Sequence, residues 1–295
     1  MIPKRTSLPI GHICALITVF VWGATFIASK HMLSVYTPVQ IMTLRFVIAY
    51  GFLWILYPHA VKAPLKDEAV FLLLGILGNS LYFLLENTSL TYTLASNTSI
   101  ILSAAPLFTA ILAHLFGRED RLTRYTVYGS LLAFFGVILV IFNGTIILKL
   151  NPLGDLLAVL AALSWATYTV ILRRYTFRYD GFLLARRVTF WGILTATPLF
   201  LAELPSFSFT PMKEPTILGS WLFLALLGSG LCYVLWNTAV AHLGAVKTNN
   251  YIFLQPFITM LCGFFLLSEP ISLMGIIGAF LIISGIVFAN RKRPV

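Results

Sequence analysis

Residues 81–106, LYFLLENTSLTYTLASNTSIILSAAP, align without a gap with residues 231–256, LCYVLWNTAVAHLGAVKTNNYIFLQP, at an offset of 150. Asn87-Thr88 falls on Asn237-Thr238, Ala95 on Ala245, Thr98 on Thr248 and Pro106 on Pro256. Further along, Glu119 matches Glu269, each thirteen residues after its proline, and after one deletion Gly129 and Gly136 match Gly278 and Gly285. Trp22 and Trp165, at a slightly different offset, carry the duplication towards the start of each half. The chain reads as two related halves, 1–147 and 148–295.

Both halves are suited to lipid. Of the 295 residues 59% are hydrophobic and 10% charged, against about 25% charged in a soluble domain. A hydrocarbon layer about 30 Å thick takes roughly 20 apolar residues per helix. Apolar runs of that length fall near 10–33, 38–57, 69–89, 94–116, 125–143, 153–173, 182–203, 217–238, 245–267 and 271–290. They are continuous rather than alternating, which favours helices over barrel strands. The predicted fold is therefore an all-α polytopic membrane protein of ten transmembrane helices in two five-helix repeats. Five is odd, so the second repeat enters the membrane from the opposite face and the halves are inverted. That arrangement lets two similar packings expose a midplane site to either side in turn.

The net charge of +10 is spread along the chain without any zinc-finger, RRM-like or basic-helix pattern, so nucleic acid is not an expected partner. Fourteen of the 20 lysines and arginines fall on the side of the N-terminus. Lys30, Lys149 and Lys213 fall opposite, and Arg45, Arg186 and Arg187 lie within or at the ends of spans. Such a bias predicts a multi-pass cell-membrane protein with both termini cytoplasmic. Residues 1–30, with Lys4 and Arg5 before an apolar run, read as an uncleaved first helix. Cys14, Cys232 and Cys262 are odd in number and far apart, so neither disulfide nor metal site is expected. The five histidines are scattered and no Walker pattern occurs. The expectation is a protein with no cofactor, no bound metal and no ATP site, and not an enzyme.

The sequence resembles an EamA-type permease of the drug/metabolite transporter superfamily. The resemblance rests on VWGATFIASK at 21–30, TLRF at 43–46, TYTLASNTSIILSAAPLFTAIL at 91–112 with GRED at 117–120, and QPFITMLCGFFLLSEPISLMGIIGAFLIISGIVF at 255–288. It implies that helices 1 to 4 and 6 to 9 surround a central cavity, with helices 5 and 10 packed to one side. It also implies export of amino acids or other small metabolites.

Glu86 is the first candidate for chemistry. The other nine acidic residues fall at predicted helix ends or in connections, whereas Glu86 lies inside the third span, where an ionisable group is costly. With Asn79 and Tyr82 it follows i, i+3, i+7 spacing, one polar stripe facing a cavity. A functional Glu86 would exchange a proton as substrate binds or leaves; the competing reading has it snorkel or bond a neighbouring helix. Arg45 and its approximate counterpart Arg187 suit a substrate carboxylate, but each is also readable as tied to backbone carbonyls, Glu86 or headgroups. Trp22 and Thr25 share a face of helix 1, as Trp165 and Tyr168 do of helix 6. Tyr233, Trp236, Asn237, Asn249 and Tyr251 are polar or amphipathic for lipid-facing positions and are predicted to line the substrate site. Pro106 and Pro256 are expected either to hinge the halves or to form fixed bends. The Gly129 to Ala133 and Gly275 to Ala279 spacings permit close helix contact within a monomer or a homodimer.

The sequence thus predicts a secondary carrier embedded in a lipid bilayer, moving a small-molecule substrate by alternating access, with a proton as candidate coupling ion. Facilitated diffusion of nucleosides or other metabolites is the alternative. A membrane scaffold or membrane enzyme is the alternative from another class, and neither accounts for the inverted repeat.

Overall fold

The computed structural model describes residues 8–60, 62–92, 95–116, 123–142, 151–267 and 271–290. In chain order the helices are α1 (Leu8–Met32), α2 (Pro38–Leu56), α3 (Leu65–Tyr92), α4 (Ala95–Leu102 and Ala105–Phe116), α5 (Arg124–Phe142), α6 (Pro152–Tyr175), α7 (Gly181–Glu203), α8 (Pro215–Leu243), α9 (Ala245 to Leu267) and α10 (Leu273–Ala289). Eight of the ten segments are long and apolar enough to cross a membrane, and α10 is a shorter apolar helix. Phe20, Ile55, Tyr128, Phe135, Phe265 and Phe280 face outward, whereas Thr18, Asn79, Glu86, Thr169 and Asn250 are buried. This is the distribution expected of a bundle whose solvent is lipid. The 147/148 division and the matched Glu119 and Glu269 lie outside the described residues.

Short caps start the helices where the sequence breaks. The Thr37 side chain accepts from the Gln40 amide while Gln40 returns a bond to the Thr37 amide, with Pro38 in the first turn. Asn151, Asp180 and Ser272 cap α6, α7 and α10 in the same way, each accepting from the amide three residues on.

Helix pairing follows the repeat. α1 lies along α8 and α3 along α6, α4 packs on α6 as α9 packs on α1, and α2 pairs with its own counterpart α7. Exchanging the halves leaves this set of pairs unchanged, which is the signature of two inverted five-helix repeats. α5 and α10 pack along one another beside the other eight. There a Cβ added to Gly278 or Gly285 would stand within 2.6 Å of the facing backbone oxygen of Gly136 or Gly129. These glycines bring two backbones into contact inside one chain.

Two departures from helical regularity are also duplicated. α3 carries a π-helical turn at Ile76–Ser80 and α8 a π-helical stretch at Phe223–Leu231, inside spans of 28 and 29 residues. α4 breaks between Leu102 and Ala105, and α9 passes through a 3-10 stretch at Asn250–Leu254 before resuming at Gln255. Pro106 and Pro256 sit second in the resumed segments, where a missing N–H costs little.

The two ends of the bundle are closed differently. At the end where α1 starts, the Tyr179 hydroxyl donates to Asp67, Arg178 pairs with Asp67 at 3.3 Å, and Arg187 pairs with Glu68 at 3.1 Å. Trp191 Nε1 donates to Glu68 at 3.1 Å. Burial, then the bond and charge of Asp67, push the Tyr179 hydroxyl up to about 12. At the far end Tyr36 packs with Met32, Ile41, Met212 and Ile217. The bonds there are neutral or singly charged: Tyr36 to the Ser208 carbonyl at 2.8 Å, Gln40 to Ser206 at 3.2 Å, and Thr37 to Glu203.

Candidate functional site

Six aromatic rings meet where the halves face each other. Trp22 from α1 stands 5.3 Å from Trp165 of α6, 5.0 Å from Trp236 and 6.1 Å from Tyr233 of α8, centroid to centroid. Trp165 in turn stands 5.3 Å from Tyr82 of α3, 5.1 Å from Tyr168 and 5.8 Å from Trp236. These are the separations of edge-to-face and tilted packing. All six were predicted site residues, drawn from four helices and both repeats.

The π turns help to hold the rings. Trp22 Nε1 donates to the Gly228 carbonyl and the Tyr233 hydroxyl to the Gly78 carbonyl, each at 2.9 Å. The two glycines are 150 residues apart, so the acceptors are equivalent and each bond crosses from one half to the other, although the donors are not counterparts: Trp22 matches Trp165, and Tyr233 matches Phe83. A Cβ on Gly78 would lie within 2.8 Å of three Tyr168 ring atoms, and one on Gly228 would lie 3.0 Å from the Thr25 methyl and 3.3 Å from Arg45 Nη2. Glycine at both points lets the turn and the rings approach.

Charge enters this lining from two helices. Glu86, 8% exposed, and Arg45, 4% exposed, are both buried. Arg45 Nε donates to Ser229 Oγ at 2.7 Å, its guanidinium lies 4.5 Å from the Phe83 ring centroid, and it stands near the Glu86 carboxyl and the Tyr82 and Tyr233 hydroxyls. Arg45 and Tyr82 are the side chains that act on the Glu86 charge. Thr25, its hydroxyl bonded to the Trp22 carbonyl at 2.6 Å, completes the Arg45 side.

Several hydrogen-bonding atoms here are buried without a partner: Trp165 Nε1, Trp236 Nε1 and the Tyr168 hydroxyl. Leaving such a group unsatisfied costs about 1–3 kcal/mol each, and an indole N–H can only donate. Unpaired donors in a ring cluster that also includes Tyr82 and Tyr233, the neighbours of a guanidinium, are suited to a ligand that accepts hydrogen bonds.

Other predicted residues are placed elsewhere. Asn79 lies in the π turn and faces α7, with Nδ2 3.5 Å from the Val188 carbonyl, so the extra residue of the turn takes it off the Tyr82–Glu86 face. Asn237 donates to the Gly181 carbonyl at 3.1 Å, and Asn249 to the Ala245 carbonyl at 3.2 Å. Both amides serve helix starts. The Tyr251 hydroxyl bonds His12 at 2.5 Å. Arg187 pairs with Glu68 at the bundle end, away from its counterpart Arg45. Arg186 donates to the Tyr57 and His59 carbonyls at 2.7 and 2.5 Å. Ser229 and Phe83, which orient Arg45, were not singled out by the sequence; the signal was Gly78 and Gly228 at matching positions, each followed by a polar residue. No cluster of three or more metal-ligating side chains occurs among the described residues.

A ten-helix inverted-repeat bundle with rings and a buried charge pair between its halves has the architecture of a membrane transporter. The model of the EamA-like transporter family matches residues 9–142 and again 152–291, and the chain belongs to that family. It is similar to the uncharacterised transporter YyaM of Bacillus subtilis (strain 168), 33% identical over 284 residues covering 91% of this chain and 89% of that protein. It is also similar to a probable terminal-alkyne amino-acid exporter of Streptantibioticus cattleyicolor, 27% identical over 94% and 92% of the two chains. A solved structure with 17% identity superposes with a TM-score of 0.77 over 95% of this chain and 96% of that one, and shares its fold. These names are of transporters rather than enzymes.

Proposed function

We propose that the protein exports a small amphipathic metabolite, of the size of an amino acid, from the cytoplasm across the cell membrane by alternating access. The observation that carries this reading is the six-ring cluster with Glu86 and Arg45 buried between the inverted halves, since burying charge inside a lipid-embedded bundle is costly. Trp22, Thr25, Tyr82, Glu86, Trp165, Tyr168, Tyr233 and Trp236 form the substrate site, and Asn79, Asn237, Asn249 and Tyr251 support the helices around it. The amino-acid exporter among the relatives supports the substrate size. A depression of about 520 Å³ at the far end is lined by Leu33, Tyr36, Gln40, Leu90 and Ser206. Leu90 is one turn from Glu86, about 6 Å along the helix axis, which makes that depression the near exit from the site.

The halves rock as units, 1–147 against 148–295, about the breaks at Pro106 and Pro256. Both termini lie in the cytoplasm, following the lysine and arginine bias. Glu86 is the proton-coupling group, and the protein works as a monomer, the glycine face of α5 and α10 being used within the chain.

Counterflow in proteoliposomes, across amino acids, carboxylic acids and nucleosides at two pH values, tests this. Wild-type protein is expected to show saturable counterflow, and Glu86→Gln to keep exchange while losing proton-driven accumulation. An unchanged pH response in the variant makes the protein a facilitated-diffusion carrier. Absence of counterflow in folded wild type overturns carriage.

A further inference from the structure

We propose that the transported substrate carries a single carboxylate on a flat apolar body, that this carboxylate docks on Arg45, and that Glu86 takes up one proton as it docks. The inference rests on the transport reading above and specifies its substrate class and the sign of its coupling.

The first observation is what Arg45 leaves free. Its one hydrogen bond among the described residues runs from Nε to Ser229 Oγ. The terminal nitrogens of the fork point remain for a ligand, and a guanidinium fork matches a carboxylate with two parallel bonds. Phe83 lies against the guanidinium at 4.5 Å and holds its plane.

The second observation is the balance of donors and acceptors. Trp165 Nε1, Trp236 Nε1 and Tyr168 OH are buried donors without acceptors, on side chains no more than 4% exposed; the acceptors left without a donor, Oδ1 of Asn79, Asn237 and Asn249, belong to amides turned to α7 and to helix starts. An ammonium brings only donors and would satisfy none of the indoles. A carboxylate brings two oxygens with about four acceptor sites, and the rings take the apolar body.

Third is the count of charge. Arg45 and Glu86 together are neutral when both are ionised. Around the carboxyl stand Tyr82 from its own helix, Arg45 from α2 and Tyr233 from α8, with Cys232 near Arg45 and Tyr168 near Tyr233 one layer further out; the α4 segment packed nearby has no titratable side chain before His114. The α7 arginines are engaged with Glu68 and with backbone carbonyls at the bundle end. Arg45 is thus the one cation of the cluster among the described residues. A second carboxylate would leave a net negative charge in a dry site, at a cost of several kcal/mol. One proton from water, taken onto a Glu86 oxygen, restores neutrality. Substrate anion and proton then leave in the same direction, as the electroneutral acid, so that the outward gradient of the substrate drives export and an inward proton gradient opposes it.

The test uses purified full-length protein in detergent and three probes sharing one ring: 3-phenylpropanoate, phenethylamine and phenylalanine. Binding is read by tryptophan fluorescence and by calorimetry, and proton uptake by a pH indicator in weak buffer. Phenylpropanoate is expected to bind best, with one proton taken up per molecule and affinity falling about tenfold per pH unit on the alkaline side of the Glu86 titration. In Glu86→Gln the same probe should bind with no proton uptake and no such slope. Arg45→Lys, which keeps the charge but not the fork, should bind it about tenfold more weakly. Preferred binding of phenethylamine or phenylalanine, binding of none of the three by folded wild type, or proton uptake retained in Glu86→Gln would each overturn the inference. Uptake into proteoliposomes is scored separately: phenylpropanoate that binds with its proton but is not carried refutes transport and leaves the binding assignment standing.

Discussion

The two ends of the bundle are equivalent by the repeat and are closed by opposite chemistry. Tyr179 and Tyr36 each stand one residue before an equivalent helix cap, Asp180 and Thr37. Facing Tyr179 is Asp67, and 150 residues on from Asp67 is Ile217, which packs with Tyr36. One scaffold therefore carries a charged latch at one end and a greasy one at the other. A closure built on ion pairs responds to salt, whereas one built on an apolar cluster with the single Thr37–Glu203 bond at its edge responds less. Duplication fixed the geometry of both closures and left their sensitivities to diverge.

Spin-label distances across each end read these closures, from position 62 to 177 at the charged end and from 34 to 209 at the far end. The largest effect is expected for Ile217→Asp, which buries a carboxylate in an apolar cluster and costs about 3 kcal/mol or more. The far-end distance should lengthen, and adding Val35→Arg, at the position equivalent to Arg178, should restore part of the closure. No recovery in the double variant would break the equivalence of the two ends. Asp67→Ala removes bonds from both Tyr179 and Arg178 and should loosen the charged end by about 1.5–3 kcal/mol, leaving the far-end distance unchanged. Tyr36→Phe loses a neutral bond to a carbonyl, about 0.5–1.5 kcal/mol, and should act on the far end alone. In Asp67→Asn the Tyr179 hydroxyl should fall part of the way from about 12 towards its ordinary value, burial being the larger cause, as read by tyrosinate absorbance against a Tyr179→Phe control. Smallest is the effect of salt: raising ionic strength should weaken the Arg187–Glu68 and Arg178–Asp67 pairs by about 0.2–1 kcal/mol. Equal salt responses at the two ends would remove the contrast.

Much of this fold was legible because lipid imposes continuous apolar runs and because the repeat could be aligned residue by residue. The six rings were legible for the same reason, amphipathic side chains in spans being turned inward. Asn79 was misplaced by counting i, i+3, i+7, since periodicity assigns a face only while the turn stays regular, and Ile76–Ser80 is a π turn. Asn237 and Asn249 read as lining residues, yet both amides bond carbonyls at the starts of α7 and α9. Sequence alone cannot tell a polar side chain facing a cavity from one serving a backbone. Arg45 and Arg187 looked like a pair, each six or seven residues past the start of its helix, and what separates them is the facing residue: Arg187 meets Glu68, whereas 150 residues on from Glu68 stands Leu218.

The Gly78 and Gly228 carbonyls, each loosened by its own π turn and each bonded by a ring of the opposite half, make the two halves dependent on one another during assembly. A half-length chain lacks the ring that bonds its own carbonyl. Separate expression of the two repeats is expected to leave each incomplete and co-expression to restore the pair, a local irregularity inherited twice serving as a check on partner and register.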